Sequence, residues 1–272
     1  MKKYPYAIID DTNIASVYDT FPNMIWNGGG SHQGPMLGKA DIIELIEFYK
    51  NINIPMRLTL TNPTLDQYDV LDRYCNSVLD IASDYVDHIE ILVSSPILEE
   101  HIRTHYPHFI LNHSIIATKN DKTVKEYIEE CDLYHHIVLP RRVSKDFDFL
   151  NQIPQNLRNK FEFLCTDPCP VNCPNLYSHY EKAGNYQRGA DLDKSKIYCT
   201  HHYPTLFRHA DYKKDQITLP EIANTYEPMG FSEFKISGRG SLSGPISMID
   251  YFFKPDYKTD VYAMVLGNGI IK

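Results

Sequence analysis

Four of the six cysteines have types and spacing that suit a metal centre. Three of them follow one another at four-residue intervals just after an apolar run, and the fourth comes later in the same segment. Prolines between and beside them prevent a continuous helix, so the cysteines must lie on an irregular loop that can surround a compact ligand. The four residues are Cys165, Cys169, Cys173 and Cys199.

The spacing of these cysteines indicates which metal centre they would hold. Thiolates are soft ligands for iron–sulfur clusters, zinc or cuprous copper. Structural zinc sites usually contain cysteine pairs at C-x2–4-C spacing, whereas three cysteines on one loop with a distant fourth suit a cubane cluster. We therefore predict a 4Fe–4S cluster, with zinc as the alternative cofactor and unliganded thiols or disulfides as a further alternative. One of His179, His201 and His202 could replace a cysteine ligand, or all three could be surface histidines.

Two other features of the cysteines bear on the class of enzyme and on which cysteines bind the metal. The spacing here is C-x3-C-x3-C after the seventh predicted strand, whereas a radical-SAM barrel enzyme has C-x3-C-x2-C after its first strand, which disfavours that class. Cys75 and Cys131 lie in predicted amphipathic helices, where cysteine behaves as a small buried hydrophobe. We expect these two residues to pack in the core and to bind no metal.

Composition places the chain among ordinary globular proteins. It has 272 residues, of which 43% are hydrophobic and 23% charged, with a net charge of -8. The acidic balance argues against broad, nonspecific binding to nucleic acid or anionic membranes. We see neither a signal-like apolar segment at the start nor a stretch of 18 apolar residues. We therefore expect a cytoplasmic protein with no membrane partner, in a reducing compartment where structural disulfides are rare.

The elements that position the cysteines follow an alternating pattern. Short apolar or β-branched runs predict eight strands: Tyr6–Ile9, Met24–Trp26, Met56–Leu60, Ile89–Val93, Phe109–Asn112, Ile137–Leu139, Phe161–Leu164 and Phe234–Ile236. Helical periodicity predicts helices between them at Lys39–Asn51, Asp66–Tyr85, Pro96–His105, Thr123–Cys131 and Ser144–Ile153. Residues 1–272 are therefore predicted to form one α/β domain, a single (β/α)8 barrel of the TIM type. An open doubly wound sheet is the alternative, although residues 10–13 lack its phosphate-binding glycines.

The alternation is interrupted by a cysteine-rich insert at residues 165–218, after the seventh predicted strand. Tyrosine and histidine are also frequent in it. Long loops inside a compact domain are usually functional, and in a barrel this one would lie over the C-terminal face, where active sites occur. The insert is therefore the predicted cluster-binding part of the chain.

Polar residues follow many of the predicted strands and would converge on that face. Arg141 and Arg142 could hold an anionic substrate by paired hydrogen bonds, or could be a solvated surface pair. His113 could be a general acid or base, or a hydrogen-bonded structural histidine. The full set is Asp10, Asp11, Asn27, Asn62, Ser94, Asn112, His113, Arg141, Arg142, Ser237 and Arg239.

Three segments together resemble peptidase family U-32, the collagenase-like family. They are FEFLCTDPCPVNCP with the later Cys199, the run HFILNHSIIATKNDKTVKEYIEECDLYHHIVLPRRVSKD, and FKISGRG, which ends in Gly238 and Arg239. The similarity covers roughly residues 85–255. It is strongest with the short, single-barrel members, which include the proteins of oxygen-independent ubiquinone hydroxylation.

This resemblance implies a function. It implies a 4Fe–4S cluster on a barrel and an oxygen-independent hydroxylase or other oxidoreductase that acts on an RNA base or a small aromatic substrate. It also favours Arg239 as a catalytic residue, beside His113 and Arg141. One alternative is a U-32-type peptidase, although the sequence has no H-E-x-x-H and no G-x-S-x-G motif. Another is a non-catalytic subunit with a homologous partner, because related short proteins can work as heterodimers.

Overall fold

The computed structural model describes most of the chain and groups it into two compact units. It describes residues 7–10, 13–28, 34–117, 122–167, 169, 171–190, 215–237 and 243–267, with the backbone alone for 243–247 and 264–267. The first unit comprises Ile14–Val138 and Cys173–Thr200, and the second comprises Met1–Asn13, Leu139–Asn172 and His201–Lys272. The sequence-based prediction of one domain over residues 1–272 stays a prediction.

Strands and helices alternate along the described chain. The elements up to the fifth strand are β1 (Val17–Asp19), α1 (Lys39–Asn51), β2 (Met56–Leu60), α2 (Arg73–Ala82), β3 (Ile89–Val93), α3 (Pro96–His105), β4 (Ile110–His113), α4 (Val124–Glu130) and β5 (Ile137–Leu139). Those that follow are α5 (Arg141–Ser144), α6 (Phe147–Asn151), β6 (Phe161–Thr166), α7 (Leu176–Gln187), α8 (Leu219–Glu221), α9 (Glu227–Met229), β7 (Glu233–Ile236), α10 (Ser243–Phe252) and α11 (Pro255–Gly267). A π-helix, Ile222–Tyr226, joins α8 to α9.

In the first unit, β1 to β5 pair in parallel in their sequence order. All five residues of β2 are buried, which is typical of a parallel strand covered on both faces. Arg57 of β2 lies opposite Glu90 of β3 in the register. The two side chains form an ion pair, and Arg57 is almost wholly buried. Polar groups are therefore built into the sheet itself.

In the second unit, β6 pairs in parallel with β7, with an irregularity between Leu164 and Thr166. Every residue of β6 is buried. Phe163 lies at the centre of an aromatic core, with its ring 4.9 Å from Tyr226 and 5.0 Å from Phe231, both in edge-on contact. This core holds the strand that ends beside the first two cysteines of the predicted cluster.

The α/β class with parallel strands agrees with the sequence analysis, whereas a closed eight-stranded barrel is not confirmed. The described ranges contain seven strands rather than eight. The strand predicted at Met24–Trp26 is wrong, because this segment forms turns and the strand before α1 is β1. Trp26 is fully buried and its indole N–H donates to the carbonyl of Asp69 at 2.8 Å. Residues of this loop are buried, so their apolar sequence resembles that of a strand. In the predicted first strand, Ile8 forms an antiparallel bridge to Phe253.

Two predicted helices are divided by aspartates. Within the range predicted as Asp66–Tyr85, the side chain of Asp72 accepts a hydrogen bond from the backbone N–H of Cys75 at 2.7 Å and begins α2. Within Ser144–Ile153, Asp146 accepts from the N–H of Phe149 at 3.0 Å and begins α6. A capping aspartate satisfies an unpaired helical N–H, so each one fixes a new helix start inside an otherwise helical pattern. Within the described ranges, every helix is too short or too polar to cross a membrane.

Candidate functional site

The first two cysteines of the predicted cluster lie at the end of β6 and on the loop that follows it. Cys165 is 1% exposed, and its carbonyl accepts a hydrogen bond from the backbone N–H of Ile217 at 3.2 Å. Cys169 is half-buried, and its N–H donates to Oδ1 of Asp167 at 3.0 Å. Both residues therefore have a defined backbone position in the second unit.

Arg141 holds this loop in place. It is the first residue of α5 and is almost fully buried. Its Nη1 atom donates to the carbonyl of Cys169, and its Nη2 atom donates to the carbonyl of Asp215 at 2.9 Å. The rigid guanidinium fork is suited to bridging two acceptors. Arg141 thus links the cysteine loop to the segment before α8, and its predicted contact with a substrate stays a prediction.

A cavity of about 210 Å³ adjoins the cysteine loop within the second unit. Its lining mixes both signs of charge with a few apolar side chains. Lys145 donates from Nζ to Oε1 of Glu221 at 2.7 Å. The cavity is small, and charged side chains lie beside apolar ones in its lining, so a ligand in it would be held by both polar and apolar contacts. It is lined by Arg141, Arg142, Ser144, Lys145, Asp146, Leu164, Val171, Asp215 and Ile217.

The surroundings of Cys165 disfavour a free nucleophilic thiolate. Burial raises the pKa of the Cys165 thiol, and the nearby carboxylates of Glu162 and Glu221 raise it further, against a smaller opposing effect of Lys145. Catalytic cysteines have a lowered pKa and lie in electropositive surroundings. A bound metal changes this situation because it replaces the proton on the sulfur.

The cysteines that the structure describes fit a thiolate-ligated cluster in their donor chemistry. Cys165 and Cys173 carry free thiols, and Cys169 lies on the braced loop between them in sequence. Cys173 belongs to the first unit. Cys199 falls outside the described residues, so the complete ligand set stays a prediction.

His113 lies against helix α4. Its Nδ1 atom is 3.3 Å from Oε2 of Glu130, and its ring stacks on Tyr134 with centroids 4.7 Å apart. Burial alone would raise the pKa of Glu130, but His113 and Lys122 outweigh burial and hold this pKa below its ordinary value. His113 therefore joins β4 to α4, an arrangement that favours the structural alternative over general acid–base catalysis. The sequence could have indicated that His113 is buried, because in a strand it lies on the same face as the apolar Leu111.

Asn62 anchors helix α7, which lies inside the predicted insert. Its Nδ2 atom donates to the carbonyls of Ile25 at 2.7 Å and Gly184 at 3.0 Å. Its Oδ1 atom accepts from the backbone N–H and the hydroxyl of Thr64 at 3.0 and 2.8 Å. All the hydrogen-bonding groups of this buried amide are satisfied, so Asn62 has a structural role. Gly184 allows α7 to lie this close to the Asn62 side chain, because a Cβ atom at position 184 would lie 2.2 Å from Oδ1 of Asn62.

The remaining predicted strand-end residues are divided among several places. Asn27 is buried and its Oδ1 accepts from Thr59 at 3.1 Å. Ser237 donates from its N–H to the hydroxyl of Thr166 at 2.8 Å, which joins β6 and β7. Asp10 forms an exposed ion pair with Lys254 at 2.9 Å. The other predicted residues that fall outside the described ranges are Asp11, His201, His202 and Arg239.

Sequence reasoning missed a polar cluster in the first unit. Arg57, Glu90 and Asn112 lie on β2, β3 and β4, and His136 immediately precedes β5. Their side chains contact one another within the sheet. Asn112 is part of this cluster, so it does not act as an independent strand-end residue. The available signal was the recurrence of polar residues inside otherwise apolar strands.

The two remaining cysteines give a test of the ligand assignment. Cys75 and Cys131 are 0% and 2% exposed, in α2 and directly after α4. We expect Cys75→Ala and Cys131→Ala each to lower the free energy of unfolding by about 1 kcal/mol, as a small core truncation does. Metal content per chain, measured by plasma emission spectroscopy, should equal that of the wild type. Loss of metal in either variant would show that the ligand set is assigned wrongly.

Comparisons with known proteins give one similar fold. No family model matches the sequence, and a search of curated proteins finds no match. A solved structure described as the U32 peptidase Mk0906 is similar, with a TM-score of 0.51 and 13% sequence identity over 84% of this chain and 85% of that chain. At this identity the likeness concerns the fold alone. The chain therefore has an α/β fold similar to that of a U32 peptidase.

Proposed function

We propose that this protein is an iron–sulfur protein that works as an oxygen-independent hydroxylase or other oxidoreductase on a nucleic-acid base or a small aromatic substrate. The proposed ligands of its 4Fe–4S cluster are Cys165, Cys169, Cys173 and Cys199. The observation that carries this proposal is the braced cysteine loop. Arg141 fixes the loop through the carbonyl of Cys169, and a cavity lined by charged and apolar side chains borders it.

The finer fold belongs to the same proposal. A closed (β/α)8 barrel, with residues 165–218 as its cluster-binding insert, would bring the strand ends and the cysteines to one face. The similarity to a U32 peptidase fold supports the α/β architecture within this proposal.

Each part of the site has a proposed role. A bound 4Fe–4S cluster would supply one-electron redox chemistry. Arg141 positions the cysteine loop, and Arg142 is proposed to meet a polar or anionic substrate group in the adjoining cavity, whose lining also holds the acidic Asp146 and Asp215. Arg239 is proposed as a substrate-binding residue because of the family resemblance, and His113 stabilises the packing of α4.

The test is the metal content of protein purified and reconstituted without oxygen. We expect about four iron atoms per chain and broad absorption in the visible region, as for cubane clusters. Cys165→Ser should lose most of this iron, whereas Cys75→Ala, the matched control at another buried cysteine, should retain it. Stoichiometric zinc in the purified protein, with no iron after reconstitution, would contradict the proposal.

A peptidase is the second candidate, because the similar solved structure is described as a U32 peptidase. The raised pKa of Cys165 disfavours this thiol as the nucleophile. Hydrolysis of gelatin-derived peptides by iron-free protein would favour the peptidase. Iron binding without turnover by the isolated chain would instead favour a non-catalytic subunit that works with a homologous partner.

A further inference from the structure

A second candidate metal site lies in the first unit, among residues that the cysteine site does not use. Glu90, His135 and His136 each offer one ligand atom, and these three atoms lie within 4.8 Å of one another. The Nδ1 atom of His135 lies 4.0 Å from Oε1 of Glu90. Glu90 is the second residue of β3, and the two histidines directly precede β5.

The carboxylate of Glu90 is held in a fixed orientation. Its Oε2 atom accepts hydrogen bonds from Nε of Arg57 at 2.7 Å and from Nδ2 of Asn112 at 3.0 Å. These two donors leave Oε1 turned toward His135. Outer hydrogen bonds of this kind orient the ligands of known metal sites.

His136 is oriented by the same neighbours. Its backbone N–H donates to Oδ1 of Asn112 at 3.1 Å, and its ring Nδ1 lies 3.2 Å from that oxygen. Nδ1 also lies 3.1 Å from Nη2 of Arg57, so the hydrogen-bond network decides the tautomer. A guanidinium only donates, so Nδ1 accepts while it is bonded to Arg57, and the proton is then on Nε2. Metal binding through Nε2 requires His136 to exchange this bond for one in which a protonated Nδ1 donates to Asn112, the arrangement found in metal-binding histidines.

We propose that Glu90, His135 and His136 bind a divalent cation of the zinc class. Two imidazoles and one carboxylate form a known zinc ligand set. Zinc bonds of about 2.0–2.2 Å require ligand atoms closer together than 4.8 Å, so a side-chain rotation must close the site. His135 can make this rotation because its side chain is 51% exposed, and the same exposure gives the ion access from solvent.

The charges around the site set its expected strength. Glu90 and Arg57 already form an ion pair, and the guanidinium of Arg57 opposes an added cation. We therefore infer a reversible site, weaker than a closed structural zinc site. Bound metal would join the start of β3 to the segment before β5 and would stabilise the folded unit by mass action.

The test uses Co²⁺ as a spectroscopic probe on the full-length protein after cluster reconstitution, followed by Zn²⁺-dependent thermal unfolding. The difference spectrum, taken against the same reconstituted wild-type protein before Co²⁺ is added, should show one bound Co²⁺ with weak d–d absorption and no new thiolate charge-transfer band, and Zn²⁺ should raise the Tm. His135→Gln should lower the affinity for Co²⁺ at least about tenfold and should reduce the rise in Tm that Zn²⁺ causes. The variant should fold normally because the side chain of His135 is exposed. His108→Gln, an exposed histidine outside the cluster, is the matched control and should bind as the wild type does.

Two results would overturn the proposal. One is a His135→Gln variant that binds Co²⁺ with unchanged affinity. The other is Co²⁺ absorption that shows thiolate charge-transfer bands alone, which would place the ion at the cysteines. The first result does not bear on whether the cysteines hold iron, because the two ligand sets share no residue. The second would also show that cysteines are available to Co²⁺, and the iron content per chain then tells whether the cluster is present.

Discussion

Replacing Gly28 with alanine is expected to lower the free energy of unfolding by about 3 kcal/mol, the upper part of the usual range for overpacking a core. An added Cβ atom would lie 2.2 Å from the carbonyl oxygen of Thr61, 2.5 Å from its carbonyl carbon and 2.7 Å from the Cα atom of Asn62. All three are backbone atoms that no side-chain rotation can move away. Gly28 does not have a positive φ, so the effect would be purely steric.

The measurement is equilibrium unfolding in urea, with the free energy taken from the midpoint and the slope. Gly38→Ala is the matched control, because its added Cβ atom would meet Oδ2 of Asp41 at 3.5 Å, an ordinary contact. The control should lose less than about 1 kcal/mol, the effect of a helix N-cap change. An equal loss in both variants would show that the close approach at Gly28 is not the cause.

Arg57→Met is the second variant with a large expected effect. We expect a loss of about 3 kcal/mol, because removing one partner of a buried ion pair leaves the other charge without compensation. Arg57 is 2% exposed and its Nε lies 2.7 Å from Oε2 of Glu90. Its Nη1 atom also donates to the hydroxyl of Tyr18. The guanidinium therefore joins β1, β2 and β3.

Two controls test whether the loss of stability in Arg57→Met comes from the burial of its ion pair. Lys125→Met removes an exposed pair with Glu129, whose side chains are 85% and 64% exposed, and should lose less than about 1 kcal/mol. Adding Glu90→Gln to Arg57→Met should recover part of the loss, because no uncompensated carboxylate remains. Urea unfolding of the four proteins, wild type included, gives the comparison. No recovery in the double variant would mean that lost packing of the Arg57 stem outweighs electrostatics.

Local sequence patterns were sufficient for several elements. β2, β3 and β5 have the predicted bounds, as do α1 and α3. Their signals are local: β-branched and apolar runs for the strands, helical periodicity for α1, and a proline in the first turn of α3. The sequence also placed Cys165 and Cys169 at a strand end and on the loop after it, since thiols and prolines at close spacing indicate a non-helical cysteine loop.

Side-chain partners were decided only by the tertiary structure. The sequence places His113 and Arg141 after predicted strands, yet His113 pairs with Glu130 of α4, and Arg141 donates to the carbonyl of Cys169. Likewise, Arg57 meets Glu90 because parallel strands bring distant residues into register. A local pattern determines which faces of a strand or helix are apolar. The residue that lies opposite depends on strand pairing and helix docking, which join segments far apart in the chain.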